Sequence, residues 1–470
     1  MNSIKERGTN DFHKPGVFTL FLLLLGLIPW LHGAELDWEV MLFSALFMST
    51  LALVLISKQV NVLTVFVNVR LPLCLLILWF GYCCLFLIPL PVEMVQWLSP
   101  NLAVTQQANS SNITLTISKA LTLIELAKVA GVICVFCLCY LFAKHKAQQY
   151  KVLKTLFYSS AAMAIYSQVN HYTNGQFELM NAIAPFNSPW SEMVRGTFSY
   201  KNQYSIYLAI TISIGFGVLV DNLKKEQKTL ALHNVTAFIM HLITTKHIMT
   251  ILLLIVMLVS FVGTNSRGGS LILAIATITT LLHYFVRTKK RHWSKNKTLI
   301  VLALVVVLTS LFFTSKSYQR FETLGLKDNG RILLHTTALS IFKDYPLVGT
   351  GPGTYSAIQH SYKDIGLGNT AMSKHAHNDY LELLATQGMI GAILISLPLL
   401  LILGSIFAYL PVKRVGCQLG CQVAIICLLA HSAIDFNFGT LTLSVYFFVI
   451  IAVLLRMAED EKTSSQRHAE

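Results

Sequence analysis

Charged side chains are scarce in this sequence. Asp, Glu, Lys and Arg together make up 12% of the 470 residues, whereas hydrophobic residues make up 54%. A typical soluble domain carries about 25% charged residues. The scarcity of charge therefore excludes an ordinary soluble globular protein.

Cysteines are absent from the polar connections of the chain. All nine lie inside apolar runs or at the ends of such runs. A disulfide framework needs cysteines in segments that face an oxidising compartment. The sequence therefore does not predict disulfide bonds, and the Cys-x-x-Cys spacing of Cys134 and Cys137 indicates helix packing rather than redox chemistry.

Metal-binding patterns are also missing. No Asp-x-Asp occurs, and the connections predicted to face outward contain no Cys/His pair with the spacing of a metal site. His375 and His377 are two residues apart, and a helix would not direct both at one ion. No metal ion and no cofactor are therefore expected.

Long apolar runs dominate the sequence instead, and many are long enough to cross a bilayer core of about 30 Å. The predicted fold class is an all-α polytopic membrane protein with about twelve transmembrane helices, and residues 1–470 form a single integral membrane domain. The segments 58–70 and 229–245 are further apolar stretches that could lie at the interface. The predicted spans are 16–32, 38–57, 71–91, 120–143, 153–169, 204–220, 248–263, 269–286, 298–314, 388–410, 415–432 and 440–456.

Basic residues give the predicted orientation. The formal net charge is +14, and most of the Lys and Arg residues lie in short connections such as 144–154, 224–228 and 287–297. The positive-inside rule places these connections, and both termini, in the cytoplasm. The large loop 315–387 then lies on the opposite side of the membrane. Topology accounts for the positive charge, so nucleic acid is not an expected partner.

The large loop contains two predicted helices separated by a glycine-rich turn. The first begins near Arg331 after a cap at Asp328 or Asn329, and Pro346 ends it. The turn contains Gly349, Gly351 and Gly353 but lacks the Gly-Lys-Ser/Thr ending of a phosphate-binding P-loop.

The second helix is expected to begin at Ser373 as its N-cap and to break at Gly388. On that helix, His377 would share one face with Leu381 and Leu384, while His375 would share another with Asp379 and Glu382. A histidine at the outer mouth of a bundle is a candidate general base. A solvated or helix-capping histidine remains the alternative.

Three arginines are predicted on the same side of the membrane as this loop. Arg195 lies at the outer end of the sixth span, Arg267 lies in a tight turn between two spans, and Arg331 lies in the loop itself. The planar guanidinium binds phosphate oxygens through two hydrogen bonds and stays charged. The three arginines therefore suggest a diphosphate ligand, with anchoring to lipid headgroups as the alternative for each.

Two charged pairs lie nearer the spans. Glu125 and Lys128 are three residues apart, which predicts a structural ion pair that faces the bundle interior. His431 and Asp435 are four apart and are expected on one helix face. That second pair could orient a loop residue or could be an ordinary pair at a helix end.

At these residues the chain resembles the O-antigen ligase / O-antigen polymerase superfamily of bacterial inner-membrane glycan enzymes. The resemblance covers roughly 195–438, and the N-terminal half matches only as a hydropathy pattern. Its motifs, in order, are RGTFSYKNQYSIYLA, TNSRGGSLI, NGRILLHTTALSIFKDYPLVGTGPG, HAHNDYLELLATQGMIG and HSAIDFNF.

The resemblance implies a fold like that of the GT-C membrane glycosyltransferases. It also implies an inverting, metal-independent glycan transfer on the periplasmic face of the inner membrane. The expected donor is a glycan on undecaprenyl diphosphate, and the acceptor would be a glycolipid such as lipid A core or a growing polysaccharide. Membrane lipids are the remaining expected partner.

The resemblance further implies individual roles. His377, which precedes Asn378, would activate the acceptor hydroxyl. Arg195 and Arg267 would bind the donor diphosphate, and Arg331 is a further candidate for this role. The expected supporting residues are His375, Asn378, Asp379, His431 and Asp435.

Several functions remain open at the level of sequence. Within the superfamily, the acceptor could be lipid A core, a glycan chain or a protein, and HSAIDFNF slightly favours ligases and exopolysaccharide polymerases. A lipid-linked glycan transporter would also suit many spans. However, such transporters often show internal repeats, and the sequence shows no repeat. A structural scaffold gives no reason for the arginines and the histidine.

Overall fold

The structure is a computed structural model, and it describes residues 15–56, 65–105, 111–179, 193–230, 247–288, 329–362, 373–408 and 415–466. Within these ranges the chain is almost entirely helical, with one small antiparallel pair of strands, β1 (Leu90–Pro91) and β2 (Asn112–Ile113). The helices of the first half are α1 (Pro15–Leu27), α2 (Asp37–Ile56), α3 (Arg70–Leu85), α4 (Val92–Leu98), α5 (Pro100–Thr105), α6 (Lys119–Phe142), α7 (Lys146–Tyr172) and α8 (Lys201–Leu230).

The second half of the chain continues the bundle and adds the helices of the large loop. Short 3₁₀ turns at Ile28–Trp30 and Val67–Val69 complete the described secondary structure. The helices are α9 (His247–Gly263), α10 (Arg267–Thr288), α11 (Asn329–Asp344), α12 (Tyr355–Tyr362), α13 (Asp379–Ala408), α14 (Val415–His431) and α15 (Leu441–Gln466).

The all-α polytopic fold predicted from the sequence is confirmed. In the described part of the chain, seven helices are long and apolar enough to cross a membrane: α2, α3, α6, α8, α10, α13 and α15. Helices α1, α9 and α14 are shorter apolar helices. The span predicted at 298–314 lies outside the described residues, and the span predicted at 153–169 lies in α7, which is not among these candidate spans. The count of twelve therefore stays a prediction. Most of the further apolar stretch 229–245 also lies outside the described residues.

Helices α8 and α15 form the centre of the bundle. In their most apolar windows, 78% and 94% of the residues are buried inside the protein, compared with 17% in the window of α3. All nine cysteines are free thiols, as the sequence indicated. The predicted Glu125–Lys128 ion pair is present at 2.7 Å, and the Lys128 ammonium also donates to the carbonyl of Phe438.

Helices α8 and α14 approach each other through glycine. A Cβ atom added to Gly217 would lie 2.5 Å from the carbonyl oxygen of Gly416, so neither position has room for a side chain. Beside this contact, the Asp221 carboxylate accepts hydrogen bonds from the amides of Gly416 and Cys417 at 2.7 and 2.9 Å. These amides are the unpaired donors at the start of α14, so the carboxylate caps that helix.

The large loop packs on one end of the bundle. Its buried residues, including Ile341, Tyr345 and Tyr355, share one apolar core with Phe86 and Val95 from the first half of the chain. The first loop helix starts at Asn329, close to the predicted start, and ends before Pro346. The part of the loop from 315 to 328 lies outside the described residues.

The glycine-rich turn fits against a kink in α13. Gly388 has φ 63° and ψ −171° inside that helix, which confirms the break predicted there. A Cβ atom on Gly388 would lie 2.2 Å from the Leu347 carbonyl oxygen, and one on Gly349 would lie 2.3 Å from the Thr386 carbonyl carbon. The turn is therefore a packing element, as its lack of a phosphate-binding ending indicated.

The glycine contact between α8 and α14 gives a test of the bundle. We expect Gly217→Ala to lower the free energy of unfolding by about 1–3 kcal/mol, because overpacking a tight contact costs this much. Gly404→Ala is the matched control, since a Cβ atom there meets nothing within 4 Å. Alanine favours helix over glycine by up to about 1 kcal/mol, so the control should be neutral or stabilising. The stability of both variants is measured by thermal unfolding in detergent. An equal change in stability for Gly217→Ala and Gly404→Ala would contradict a tight contact between α8 and α14.

Candidate functional site

The candidate site lies at the end of the bundle that carries the large loop, where segments that are distant in sequence meet around Asp435. This residue follows α14 in a turn, and only 1% of its side chain is exposed. One carboxylate oxygen accepts from His377 and the other accepts from Arg331 and Asn202. A buried carboxylate is stable only when it is paired and hydrogen-bonded, and these three partners meet that requirement.

His377 lies directly against this carboxylate. Its Nδ1 is 3.0 Å from Asp435 Oδ1, and the rings of Tyr200 and Phe436 lie nearly perpendicular to its ring at centroid distances of 5.6 and 4.7 Å. The backbone of His377 is left-handed, with φ 51°, which costs a non-glycine residue about 1–2 kcal/mol. Such strain often occurs at functional sites, where the surrounding structure holds the residue in place.

The structure corrects the prediction that the two histidines lie on the second loop helix. His375 and His377 precede α13 rather than lying on it, so the expected helix faces for the two histidines are wrong. Ser373 is not the N-cap either, because the Asn378 side chain accepts from the amides of Tyr380 and Leu381, both at 3.1 Å. Asn378 is thus the cap, and the chain before it is free to turn towards Asp435.

Arg331 lies at the start of the first loop helix and reaches the same carboxylate. Its guanidinium donates to Asp435 Oδ2 at 2.9 Å and to the Ile434 carbonyl at 2.8 Å. The hydroxyl of Tyr200 lies 3.5 Å from the same guanidinium. The large loop is therefore fastened to the turn after α14 by a charged contact.

The neighbours of Asp435 determine its pKa. Burial alone would raise the pKa of this carboxyl, but the hydrogen bond from His377 and the positive charge of Arg331 outweigh burial and lower the pKa to about 2. Asp435 is therefore ionised at neutral pH. An ionised carboxylate only accepts hydrogen bonds, so His377 must donate its Nδ1 proton to it.

Arg267 is the first residue of α10, after a turn in which Asn265 has φ 50°. This helix start packs on the end of α14, since a Cβ atom on Gly268 would lie 2.8 Å from Ile434 and 3.7 Å from His431 Nε2. The turn that contains Arg267 is therefore next to the turn that contains Asp435.

Arg195 lies on the segment that precedes α8. The amide of Val194 donates to the carbonyl of Gly263 at 3.1 Å, which places this segment beside the Arg267 turn. The Arg195 guanidinium lies 3.6 Å from the carboxylate of Glu178, a residue that the sequence did not single out. Direct side-chain contacts thus join His377, Arg331 and Asp435, whereas Arg195 and Arg267 lie on adjoining segments.

His375 also contacts Phe436. Its ring stacks on Phe436 with centroids 4.4 Å apart, and its Nδ1 lies 2.9 Å from the Glu382 carboxylate. Burial opposes the imidazolium of His375, but the Glu382 carboxylate outweighs burial and raises the pKa of His375. The two histidines therefore belong to two separate histidine–carboxylate pairs.

Asn378 and Asp379 fasten the start of α13 to the turn after α14. The Asn378 side chain donates to the carbonyl of Ala433, and the amide of Asp379 donates to the carbonyl of Ser432, both at 2.9 Å. The Asp379 carboxylate accepts from the amide of Asn437 at 2.9 Å. These contacts fix the position of His377 relative to Asp435.

His431 has a supporting position in this turn. Helix α14 ends at His431, so the prediction that His431 and Asp435 share a helix face is wrong. The His431 ring is buried and its Nδ1 lies 2.8 Å from Asn437 Oδ1, while its carbonyl accepts from the Asp435 amide at 2.9 Å.

Tyr200, Asn202 and Phe436 are site residues that the sequence reasoning missed. The first two belong to the motif RGTFSYKNQ together with Arg195, and Asn202 donates to Asp435 at 2.8 Å. Phe436 follows Asp435 directly in HSAIDFNF. Their presence inside the two quoted motifs is the signal that could have identified them.

Comparison with known proteins identifies a family over part of the chain. The family model described as O-Antigen ligase matches residues 252–396, a range that includes Arg267, Arg331 and His377. Arg195 and Asp435 lie outside the matched range. No curated protein matches the chain. The resemblance seen in the motifs is thus confirmed for this range: residues 252–396 of this multi-pass membrane protein belong to the O-antigen ligase superfamily.

Proposed function

We propose that this protein transfers a glycan from undecaprenyl diphosphate to an acceptor hydroxyl, as an O-antigen ligase does. The transfer takes place on the periplasmic face of the bacterial inner membrane, inverts the anomeric configuration and needs no metal. The acceptor is a glycolipid such as lipid A core, or a growing polysaccharide. The O-antigen ligase match supports glycan transfer of this family, and the contacts around Asp435 support the finer assignment.

A single carboxylate that joins a histidine to an arginine is the observation that carries this proposal. Asp435 lies 3.0 Å from the His377 imidazole and 2.9 Å from the Arg331 guanidinium. The same carboxylate therefore orients a base for the acceptor and a cation for the donor. A structural ion pair at a helix end would need only one of these partners.

His377 is the proposed base. Donation of its Nδ1 proton to Asp435 leaves Nε2 as the basic nitrogen, and the carboxylate stabilises the imidazolium that forms when Nε2 takes a proton. The acceptor hydroxyl loses its proton to Nε2 as its oxygen attacks the anomeric carbon. The bond from that carbon to the diphosphate oxygen then breaks, with inversion at the carbon.

The arginines are the proposed donor site. Cleavage of the sugar–diphosphate bond develops negative charge on the leaving group, so fixed guanidiniums stabilise the transition state more than the ground state. Arg331 is held in place by Asp435, and Arg195 and Arg267 lie on the two segments beside it. Together they supply positive charge at the place where the diphosphate departs.

The position of the site along the helices supports a periplasmic location. Arg267 starts α10, whereas the basic connection 287–297 begins at the opposite end of that helix. The positive-inside rule assigns the basic end to the cytoplasm. The candidate site then faces the periplasm, and both termini lie in the cytoplasm.

Replacement of the proposed base tests the catalytic assignment. We expect His377→Ala to lower kcat roughly 10²–10⁴-fold, the usual contribution of a general base. His360→Ala is the control, since His360 is an exposed histidine of the same loop. The measurement is transfer by purified protein from an undecaprenyl-diphosphate oligosaccharide to candidate acceptors. Full transfer by His377→Ala would exclude this histidine as the base.

Replacement of the Asp435 carboxylate tests whether it holds His377 with a proton on Nδ1 and stabilises the imidazolium. Asp435→Asn should lower kcat by roughly 10²-fold or more, because an amide no longer stabilises the imidazolium. The pKa of about 2 keeps Asp435 ionised at neutral pH, where the assay is run. Asp344→Asn, at an exposed aspartate of the first loop helix, is the control. Equal kcat values for the wild type and Asp435→Asn at neutral pH would contradict the proposed role of this carboxylate.

Replacement of an arginine tests the donor site and the role of metal together. Arg267→Ala should lower kcat/KM for the diphosphate donor at least tenfold, whereas Arg287→Ala, at the other end of the same helix, should leave it unchanged. Both proteins are assayed with and without EDTA. Loss of wild-type transfer in EDTA that a divalent ion restores would overturn the metal-independent mechanism.

A further inference from the structure

Two short helices, α4 and α5, lie in the connection between the membrane helices α3 and α6. The strand β1 leads directly into α4 and pairs with β2, with Leu90 opposite Ile113. Phe86, which follows the end of α3, shares one buried core with Val95 of α4 and Leu102 of α5. Residues that share a core are in contact, so the two short helices pack against the end of α3.

Helix α4 has three faces with different surroundings. The face that packs on the protein is apolar and consists of Val92, Val95 and Leu98. Residues three apart share a helix face, so Glu93 and Gln96 form an exposed polar face, and Met94 and Trp97 form an exposed apolar one. A helix that lies along a bilayer surface beside the protein needs these three faces, since it contacts protein, water and lipid at once.

The apolar face is exposed to an unusual degree. Trp97 is 80% exposed, which is the highest value for a large hydrophobic side chain in the described ranges, and Val104 of α5 is 77% exposed. Met94 is 52% exposed. Tryptophan is enriched where lipid headgroups meet the acyl chains, because its ring is apolar and its indole N–H is polar. Lipid at this depth would cover all three side chains.

The lipid-facing surface of the bundle reaches this segment. Helix α3 is the least buried of the candidate membrane spans in the described part of the chain. Exposed apolar side chains follow α3 to its end and continue past it: Leu71, Ile77, Leu78, Leu85 and Ile88. Because α4 begins shortly after Ile88 and packs against the end of α3, its apolar face lies next to a surface that faces lipid.

We propose that Met94, Trp97 and Val104 anchor this segment in the phospholipid bilayer. The anchor lies at the boundary between headgroups and acyl chains, in the leaflet on the same side as the large loop. Glu93 and Gln96 remain among the hydrated headgroups. The partner of this surface is therefore the bilayer rather than a second protein.

The anchored segment fixes the large loop relative to the membrane surface. The Asn101 side chain donates to the carbonyl of Asp344 at 2.9 Å, and the hydroxyls of Thr105 and Tyr345 lie 3.0 Å apart. Asp344 and Tyr345 lie at the end of α11, the loop helix that carries Arg331 in its first turn. Contact between the bilayer and α4 thus helps to set the distance of this loop helix from the membrane.

Fluorescence quenching of the full chain in phosphatidylcholine nanodiscs tests the anchor. The signal of Trp97 is the difference between the wild type and Trp97→Phe. One quencher is a phosphatidylcholine brominated near the carboxyl end of its acyl chains, and the other is iodide in the water. We expect the brominated lipid to remove roughly half or more of the Trp97 signal, because indole rings settle at this depth.

Two outcomes of the quenching measurement would overturn the proposal. Quenching by iodide without quenching by the lipid would place Trp97 in water. A signal that neither quencher reaches would show that another protein surface covers the tryptophan. Quenching requires no glycan transfer, so the anchor and the proposed function can fail independently of each other.

Two charge variants of α4 test the assignment of its faces. Met94→Glu places a carboxylate on the apolar face and should lower lipid quenching of Trp97 roughly twofold, because charge below the headgroups is costly. Gln96→Glu is the matched control, since it adds the same charge to the polar face and should leave the quenching unchanged. An equal loss in the two variants would contradict the proposed faces. If Met94→Glu does not fold, the wild-type measurement decides.

Discussion

The buried carboxylate of Asp435 is the charge around which this end of the bundle, beside the large loop, is organised. Hydrogen bonds from Asn202, Arg331 and His377 all end on it. An ion this deeply buried loses several kcal/mol of hydration, and these partners together compensate for that loss. The site therefore needs all three segments that carry Asn202, Arg331 and His377. The geometry of the site and the packing of the large loop depend on the same contacts.

Two histidine–carboxylate pairs lie next to Phe436. His377 pairs with Asp435 next to the arginine segments, and His375 pairs with Glu382 on the wall of a cavity of about 320 Å³. In each pair the carboxylate lies within 3.0 Å of Nδ1 of its histidine. In the proposed reaction, only the first pair lies beside the segments that bind the leaving diphosphate.

The sequence predicted the features that depend on local pattern. Apolar run length identified the helices, and short motifs identified His377, Arg331 and Asp435 as candidates. The sequence did not predict that His377 lies outside α13. The left-handed backbone of His377 is held by tertiary contacts, one with Asp435 and one with His335, whose ring lies 3.0 Å from the His377 carbonyl oxygen. The Glu178–Arg195 pair and the cavity were missed for the same reason, since long-range packing creates them.

The contact between Asn202 and Asp435 joins residues 233 positions apart in the chain. During synthesis α8 enters the membrane long before α14, so the carboxylate that completes the cluster arrives near the end of translation. A shortened polypeptide that stops before Asp435 contains every proposed arginine and His377, yet it lacks the carboxylate that orients Arg331 and His377. The order of membrane insertion thus makes the cluster form only in a nearly finished protein.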